Sequence, residues 1–226
     1  MINVQILSKK YGTKQVLKNI NMQFEKGKVY GIVGENGAGK TTLFRCIAWL
    51  EYYEGAIDSE LKPLKNYLGL LLTEPFFFTK ITGKEYLRLL CNARKKDVQN
   101  IDEKNIFDLP LNQYASTYST GMKKKLALLA ILLQGNQCFI LDEPFNGVDI
   151  HSNIIIVDLI HKLKTLGKTV IISSHIFSTL SDTCDEIYLL KEGEIIKKVF
   201  REDFDTLELE MKEFTIGNKI EKLELK

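Results

Sequence analysis

Residues 29–42 read VYGIVGENGAGKTT, and this stretch decides the fold. It begins with apolar and small residues, as expected for a short strand that is buried on both faces. Gly34, Gly37 and Gly39 follow, and glycine reaches backbone angles closed to other residues, so successive N–H groups can turn toward an anion. Lys40 then begins a predicted helix, whose positive N-terminal end favours negative charge. This order of elements predicts a phosphate-binding loop.

The spacing of the loop matches the pattern GxxxxGK[ST], with Gly34, Gly39, Lys40 and Thr41 at its fixed positions. In such loops the lysine contacts the β- and γ-phosphates of a nucleotide, and the hydroxyl that follows it binds Mg²⁺. We therefore predict that Lys40 binds phosphate and acts in catalysis, and that Thr41 is a Mg²⁺ ligand. The predicted cofactor-binding residues of the loop are Gly34, Glu35, Asn36, Gly37, Ala38, Gly39, Lys40, Thr41 and Thr42.

Two further strands end in polar residues. The stretch CFILDEP, residues 138–144, places two acids after an apolar strand, and ligands bind at the carboxyl ends of parallel strands. Asp142 is a predicted Mg²⁺ ligand, and Glu143 is a predicted general base that polarises an attacking water. His175 follows the strand TVIIS, where its imidazole would donate to a transferring phosphoryl group. Taken alone, a surface turn and a structural histidine are the alternatives, and the phosphate loop favours the functional interpretation.

Composition and patterning indicate one folded α/β protein. The chain has 226 residues, of which 45% are hydrophobic and 27% charged, with a formal net charge of +2. These values exclude disorder as the main state and give no global electrostatic reason to expect nucleic-acid binding. Apolar strands alternate with helical segments, which predicts a mainly parallel core sheet. Val4 and Ile6, and after a turn Ile20, Met22 and Phe24, alternate with polar residues, which predicts half-buried strands. We expect these strands to form an N-terminal antiparallel β subdomain.

We expect a single P-loop NTPase domain over residues 1–226. Its core, including the antiparallel strands, occupies about 1–75 and 134–200. Residues 76–133 form a small helical subdomain, because this stretch lacks clear strands and its segment KEYLRLLCNARKK has helical spacing. Residues 201–226 form a C-terminal tail that contains the segment LELEM, in which apolar and acidic residues alternate.

The cysteines and the apolar runs bear on the compartment. Cys46, Cys91, Cys138 and Cys184 are widely spaced among apolar neighbours, which predicts buried free thiols and a reducing cytosol. No signal peptide is evident at the start of the sequence. The purest apolar run, 126–133, is shorter than the roughly 20 residues that cross a bilayer. We expect a cytoplasmic protein that reaches a membrane only through a partner.

The order of these motifs resembles the ATP-binding cassette (ABC) ATPase family over about residues 2–200. The resemblance implies that the chain binds and hydrolyses ATP with Mg²⁺. It also implies that Tyr11 stacks on adenine and that His175 is the family's switch histidine. The segment from Asn146 to Asp149 resembles the loop that follows the catalytic acid.

The segment YSTGM, residues 118–122, resembles the family signature, usually LSGGQ, with Ser119 and Gly121 kept. Ser119 and the amide of Gly121 lie at the start of a predicted helix, where anions bind. In this family that site faces the ATP of a second cassette. Because the chain has one phosphate loop and one signature, the resemblance implies a dimer over two ATP molecules, formed with a second copy or a related cassette.

Three positions depart from the family pattern. Thr120 and Met122 replace the usual glycine and glutamine of the signature. Thr73 occupies the position of a glutamine that helps to bind Mg²⁺ and water. Thr73 is therefore the third predicted Mg²⁺ ligand, and the neighbouring Glu74 is the alternative ligand at this position.

Two segments leave alternatives open. The apolar residues 76–78, all phenylalanine, form either a buried core strand or a cap on the helical subdomain that contacts a membrane partner. The three lysines at 123–125 are predicted to form a solvated helix face.

The resemblance implies an ATP-hydrolysing subunit that lies on the inner face of the cell membrane and drives a separate transmembrane permease. YSTGM and the short helical subdomain look most like cassettes that serve bacterial drug or antimicrobial-peptide exporters. One alternative is a soluble ABC-type ATPase acting on ribosomes or DNA, although such relatives carry two cassettes or a long coiled coil. Another is a nucleotide-dependent regulator with little hydrolysis, which Thr73, Thr120 and Met122 motivate. No nucleic-acid partner is expected.

Overall fold

The computed structural model describes residues 1–209, which form two β-sheets, five α-helices between residues 40 and 183, and a further helical segment over residues 204–209. The strands are β1 (Ile2–Tyr11), β2 (Lys14–Phe24), β3 (Val29–Val33), β4 (Glu54–Ser59), β5 (Leu68–Leu71), β6 (Cys138–Asp142), β7 (Thr169–Ser174), β8 (Glu186–Lys191) and β9 (Glu194–Phe200). The helices are α1 (Lys40–Ile47), α2 (Gly83–Ala93), α3 (Thr120–Leu133), α4 (Ile150–Thr165) and α5 (Phe177–Thr183).

The larger sheet has six strands in the order β5-β6-β7-β3-β8-β9, and every neighbouring pair except β8 and β9 is parallel. Its central strands are covered on both faces. In β3, Val29 and Val33 belong to one hydrophobic cluster while Tyr30 and Ile32 belong to the other. Side chains alternate between faces along a strand, which explains why this short segment is apolar throughout. The predicted mainly parallel core sheet is confirmed.

The smaller sheet is antiparallel and has the order β2-β1-β4. Val4 of β1 and Leu17 and Phe24 of β2 are buried in the same cluster as the first helix. The period of two is correct for Val4 and for the end of β2, but it is wrong for Ile6, which is 62% exposed. The strand β1 is irregular between Val4 and Leu7, so Leu7 is buried instead. The N-terminal antiparallel part of the fold class is therefore confirmed.

The region between β5 and β6 contains the helices α2 and α3, which pack on each other. Thr82 and Glu85 form a reciprocal capping box at the start of α2. The helix α3 begins at Thr120, and the Ser119 hydroxyl caps its N-terminus, which agrees with the predicted position of Ser119 at the start of a helix. Between these helices, residues 94–119 form turns and one short 3₁₀ segment, so this region is less helical than predicted.

Other expectations concern thiols and membrane spans. All four cysteines are buried and free, as predicted. Within residues 1–209, no helix combines the length and the apolar character needed to cross a bilayer. Most of the predicted C-terminal tail, residues 210–226, lies outside the described part of the chain.

Candidate active site

Adjacent strand ends bring the predicted site residues to one edge of the larger sheet. In the parallel register, Ser173 of β7 lies level with Ile32 of β3 on one side and with Asp142 of β6 on the other. The phosphate loop, the acids and the histidine segment therefore leave the sheet at the same level. This topology explains why residues distant in sequence meet there.

The loop between β3 and α1 wraps around a lysine. Gly37 and Gly39 have φ angles of 85° and 113°, in the left-handed region that favours glycine. The Lys40 ammonium donates to the carbonyl oxygens of Gly34 at 2.7 Å and Glu35 at 3.2 Å. No side chain caps the N-terminus of α1, so its first N–H groups are not used by a capping side chain. The loop thus offers a helix N-terminus and a buried cation to an anionic ligand.

Asp142 is fully buried and accepts hydrogen bonds from three hydroxyl groups. Thr41 Oγ1 and Thr73 Oγ1 donate to its Oδ2 at 2.6 and 2.8 Å, and Ser173 Oγ donates to its Oδ1 at 2.6 Å. The structure therefore brings the three predicted Mg²⁺ ligands together, with the hydroxyls of Thr41 and Thr73 on the carboxylate of Asp142. Glu74 is exposed, so its side chain lies away from this buried group.

Glu143 lies beside Asp142 with 8% of its surface exposed. Its Oε2 lies 2.8 Å from Nδ1 of His175, and its Oε1 lies 3.6 Å from the Lys40 ammonium. Oε1 is buried and has no hydrogen-bond partner. A buried carboxylate oxygen without a partner is costly and points to a ligand or water that this atom contacts. The predicted catalytic residues Lys40, Glu143 and His175 therefore meet in one cluster.

The comparisons with known proteins identify the family. The family model described as ABC transporter matches residues 17–146, which is more than half of the chain. This chain belongs to the ABC transporter family. The cassette is accordingly an ATPase that binds nucleotide, as the sequence predicted.

Curated relatives cover most of the cassette. It is 32% identical over 212 residues to the bacitracin transport ATP-binding protein BcrA of Enterococcus faecalis. This alignment covers 88% of this chain and 69% of the relative. It is 30% identical over 213 residues to the lantibiotic transport ATP-binding protein SrtF of Streptococcus pyogenes, spanning 87% of this chain and 89% of the relative.

A solved structure supports the fold. The cassette matches the dimeric post-hydrolysis structure of the ATP-binding cassette MJ0796 bound to ADP and Pi with a TM-score of 0.80 and 20% identity. The match covers 89% of this chain and 99% of that chain. The predicted P-loop NTPase fold class is confirmed.

Tyr11 lies near the phosphate loop, at the end of β1, and is 43% exposed. The Lys9 ammonium lies over its ring, 4.6 Å from the centroid, and pairs with Glu51 at 2.9 Å. Burial raises the pKa of Tyr11, Glu51 raises it further, and a hydrogen bond with Thr42 lowers it. The Thr42 contact brings the predicted adenine-stacking residue next to the predicted phosphate-binding segment.

The signature segment lies at the start of α3, apart from the acid cluster. Ser119 is exposed, and its hydroxyl accepts from the amide of Met122 at 3.2 Å. Gly121 packs closely on the loop before α4, since a Cβ there would lie 2.5 Å from the carbonyl oxygen of Gly147. Within residues 1–209, no hydrogen bond joins the Ser119 hydroxyl to the phosphate loop of its own chain.

The prediction of a solvated lysine face on α3 is wrong for Lys124. Only 2% of this residue is exposed, and its ammonium donates to the carbonyl oxygens of Glu143 and Asn146, both at 2.8 Å. Lys124 precedes the buried Leu128 by one helical turn, so the two residues share one face of α3. Lys125 pairs with Asp149 at 3.0 Å.

The alternative of a buried core strand at residues 76–78 is also wrong. The strand β5 ends at Leu71, and Pro75, which lacks a backbone N–H, interrupts any further pairing. Phe76 and Phe78 are 73% and 54% exposed, with their ring centroids 5.2 Å apart. Phe77 alone packs inward against the helical region.

Ser173 was missed by the sequence analysis. Its hydroxyl donates to Asp142 and accepts from the amide of Glu143 at 3.0 Å, so it bonds both acid positions. The sequence gives no signal for this role, because Ser173 reads as one more residue of a buried strand.

Proposed function

We propose that this cassette is the ATP-hydrolysing subunit of a transporter that closes with a second copy, or with a related cassette, over two Mg-ATP. The observation that carries this proposal is the meeting of Lys40, Asp142, Glu143 and His175 at one sheet edge. Each group has a role in phosphoryl transfer to water, and no other region of residues 1–209 combines a phosphate loop with paired acids.

The phosphate loop would bind the triphosphate through its N–H groups and the Lys40 ammonium. This ammonium is 7% exposed and bonded to loop carbonyls, so it is already directed into the loop. Its charge is little screened there, which strengthens its attraction for the β- and γ-phosphates. Thr42, in contact with Tyr11, links this loop to the ring proposed to stack on adenine.

The donor set around Asp142 fits Mg²⁺. Carboxylate and hydroxyl oxygens are the ligands of this hard cation, which usually takes one or two carboxylates together with phosphate oxygens and water. Asp142, Thr41 and Thr73 would hold it, directly or through water. When bound, Mg²⁺ supplies positive charge that stabilises the charge developing on the phosphates.

Glu143 is the proposed general base. Its Oε2 is paired with His175, so the unpaired Oε1 is the atom available to orient a water and accept its proton. A carboxylate only accepts hydrogen bonds, which places a hydrogen on Nδ1 of His175. His175 thereby holds the direction of the Glu143 side chain and presents its Nε2 side, with 47% of the side chain exposed, to the nucleotide.

The exposed signature supports dimerisation. Ser119 presents its hydroxyl at a helix N-terminus but contacts no phosphate loop in its own chain, so we assign it, with the amide of Gly121, to the ATP of the second cassette. The cassette MJ0796, whose solved structure has a similar fold, is described as a dimer.

The partner and cargo are inferred from one surface and from the relatives. Phe76 and Phe78 form an exposed aromatic pair beside the partly buried Phe77, which suits contact with an apolar permease segment at the inner face of the cell membrane. BcrA and SrtF are named for bacitracin and lantibiotic transport. We propose a drug or antimicrobial peptide as the exported substrate.

The variant Glu143→Gln tests the proposed reaction. It removes the base while keeping the size of the side chain, so ATP binding should persist while phosphate release falls about 100-fold or more. Steady-state phosphate release and binding of a fluorescent ATP analogue measure the two effects. The exposed Glu74→Gln is the matched control and should change neither. Unchanged phosphate release from Glu143→Gln would contradict the proposal.

A further inference from the structure

Lys124 is a buried cation that the proposed ATP reaction does not use. Among residues 1–209, the buried lysines are Lys40 and Lys124, and only Lys40 belongs to the phosphate loop. A charged ammonium loses its hydration on burial, and this cost is recovered only through well-placed partners. An apolar side chain of similar length would fill the same space without that cost. The position therefore points to directed hydrogen bonding.

The partners of Lys124 are specific. Its ammonium donates to the carbonyl oxygens of Glu143 and Asn146, both at 2.8 Å, and both oxygens belong to the turn that follows β6. Burial is the largest effect and lowers the pKa of Lys124, and the nearby carboxylates of Glu143 and Asp142 offset part of that effect. The negative charge of these acids thus favours a cation beneath them.

The turn held by Lys124 has an unfavourable backbone conformation. Glu143 has a φ of 52°, a left-handed value that costs free energy for any residue with a side chain. Such conformations persist only where the surroundings fix them. Here the Glu143 amide donates to Ser173 on β7 at 3.0 Å, and its carbonyl oxygen accepts from Lys124 on α3. Both backbone groups of this residue are therefore fixed from outside the turn.

This backbone determines where the carboxylate lies. The direction of the Cα–Cβ bond follows from φ, and the carboxylate lies 2.8 Å from His175 and 3.6 Å from the Lys40 ammonium. Without Lys124, this carbonyl oxygen would keep only the Asn146 amide at 3.2 Å, a bond within the turn itself. The turn could then relax toward common φ values, and the carboxylate would move. Displacements of about 1 Å at a reacting group cost about 100-fold in rate.

We propose that Lys124 is a positioning residue for ATP hydrolysis, whose ammonium fixes the turn that carries Glu143 and ties it to α3. The proposal rests on the proposed role of Glu143 as general base. Because Ser119 begins the same helix, Lys124 also joins the signature segment to the base through one rigid element.

The test compares full-length chains carrying Lys124→Met and Lys123→Met. Methionine approximates the lysine stem but donates no hydrogen bond, and Lys123 is the neighbouring lysine on the same helix, intermediate in exposure. Phosphate release is measured per nucleotide-binding site, with the number of sites taken from the stoichiometry of a fluorescent ATP analogue. We expect kcat per site to fall about 10- to 100-fold in Lys124→Met, with the Kd for the analogue within about twofold of wild type. Lys123→Met should match wild type in both quantities.

A second variant covers the case in which Lys124→Met does not fold. Lys124→Gln keeps an uncharged NH₂ donor group on a shorter side chain, and its kcat per site should lie between those of wild type and Lys124→Met. Wild-type kcat per site in either variant would overturn the proposal. A loss of turnover that only parallels a loss of binding sites would also overturn it, because that result indicates a purely structural lysine.

The variant Glu143→Gln is measured in the same assay. It distinguishes a wrong positioning role for Lys124 from a wrong assignment of Glu143 as the general base. If Glu143→Gln is inactive and Lys124→Met is normal, only the positioning role fails. If Glu143→Gln turns over at the wild-type rate, the assignment of the base fails.

Discussion

At the scale of single residues, the two acids of this cassette have different surroundings although they are adjacent in sequence. Asp142 has hydroxyl donors on both carboxylate oxygens, whereas Glu143 has one paired and one unpaired oxygen. A carboxylate with satisfied oxygens is suited to hold a position, and one with an unpaired oxygen is suited to accept a proton. The difference supports the separate roles that we propose for them.

Thr73 offers a prediction at the same scale. In Thr73→Val the hydroxyl that donates to Asp142 at 2.8 Å is lost with little change of shape. If Thr73 contributes to Mg²⁺ binding, the Mg²⁺ concentration for half-maximal ATP turnover should rise about 3- to 10-fold, the value of one net hydrogen bond. Titration of Mg²⁺ at saturating ATP measures it. The exposed Thr79→Val is the control, and an unchanged Mg²⁺ requirement in Thr73→Val would remove Thr73 from the site.

At the scale of elements, the helix α4 begins with a capping interaction that also binds α3. Asp149 Oδ1 accepts from the amide of Ser152 at 2.9 Å, and Oδ2 lies 3.0 Å from the Lys125 ammonium. These contacts lower the pKa of Asp149 in the folded chain. The hydrogen bond from the Ser152 amide is the largest cause, and the Lys125 ammonium adds to it. The loop between the acids and α4 is thereby fixed at its far end.

This lowered pKa predicts a pH dependence of stability. A carboxyl whose folded pKa is depressed stabilises the fold above its unfolded pKa of about 3.9, and the contribution disappears as pH falls through the folded value. Asp149→Asn should therefore be less stable than wild type at pH 7, with the difference shrinking below about pH 4. Urea unfolding at several pH values measures the free energy of unfolding. Asp158→Asn, exposed on the same helix, is the control, and a pH-independent difference for Asp149→Asn would contradict the prediction.

At the scale of the whole molecule, the central question is the association of two cassettes. With Mg-ATP, Glu143→Gln should accumulate a dimer because the nucleotide that joins the cassettes is not cleaved. Light scattering after size exclusion should show a mass near 25.9 kDa without nucleotide and about twice that value with it. Adding Ser119→Arg should block the dimer by steric clash while leaving ATP binding unchanged.

The matched control for this experiment is Asn112→Arg, an exposed change in the same region, which should leave the dimer intact. A dimer of undiminished stability in the chain carrying both Glu143→Gln and Ser119→Arg would show that the signature does not face a second cassette.

The sequence predicted the parts of the site that follow from strand topology. Lys40, Asp142 and His175 each follow a recognisable apolar strand, and parallel strands end at one edge, so their meeting could be inferred without coordinates. Ser173 could not be inferred, because its role depends on the register between β6 and β7. Lys124 was misjudged because its partners are backbone carbonyl groups, which no side-chain pattern reveals.

The hydroxyl groups on Asp142 come from three separate segments: the start of α1, the stretch after β5, and β7. A lone divalent ion reaching this carboxylate must share its oxygens with those donors, which weakens the attraction that the carboxylate offers to the ion. An ion already bonded to a triphosphate brings the phosphate loop as an additional binder and offsets that loss. We therefore expect Mg²⁺ to occupy this site only when it binds together with the nucleotide. The nucleotide-free cassette should bind free Mg²⁺ weakly and the Mg²⁺–nucleotide complex well.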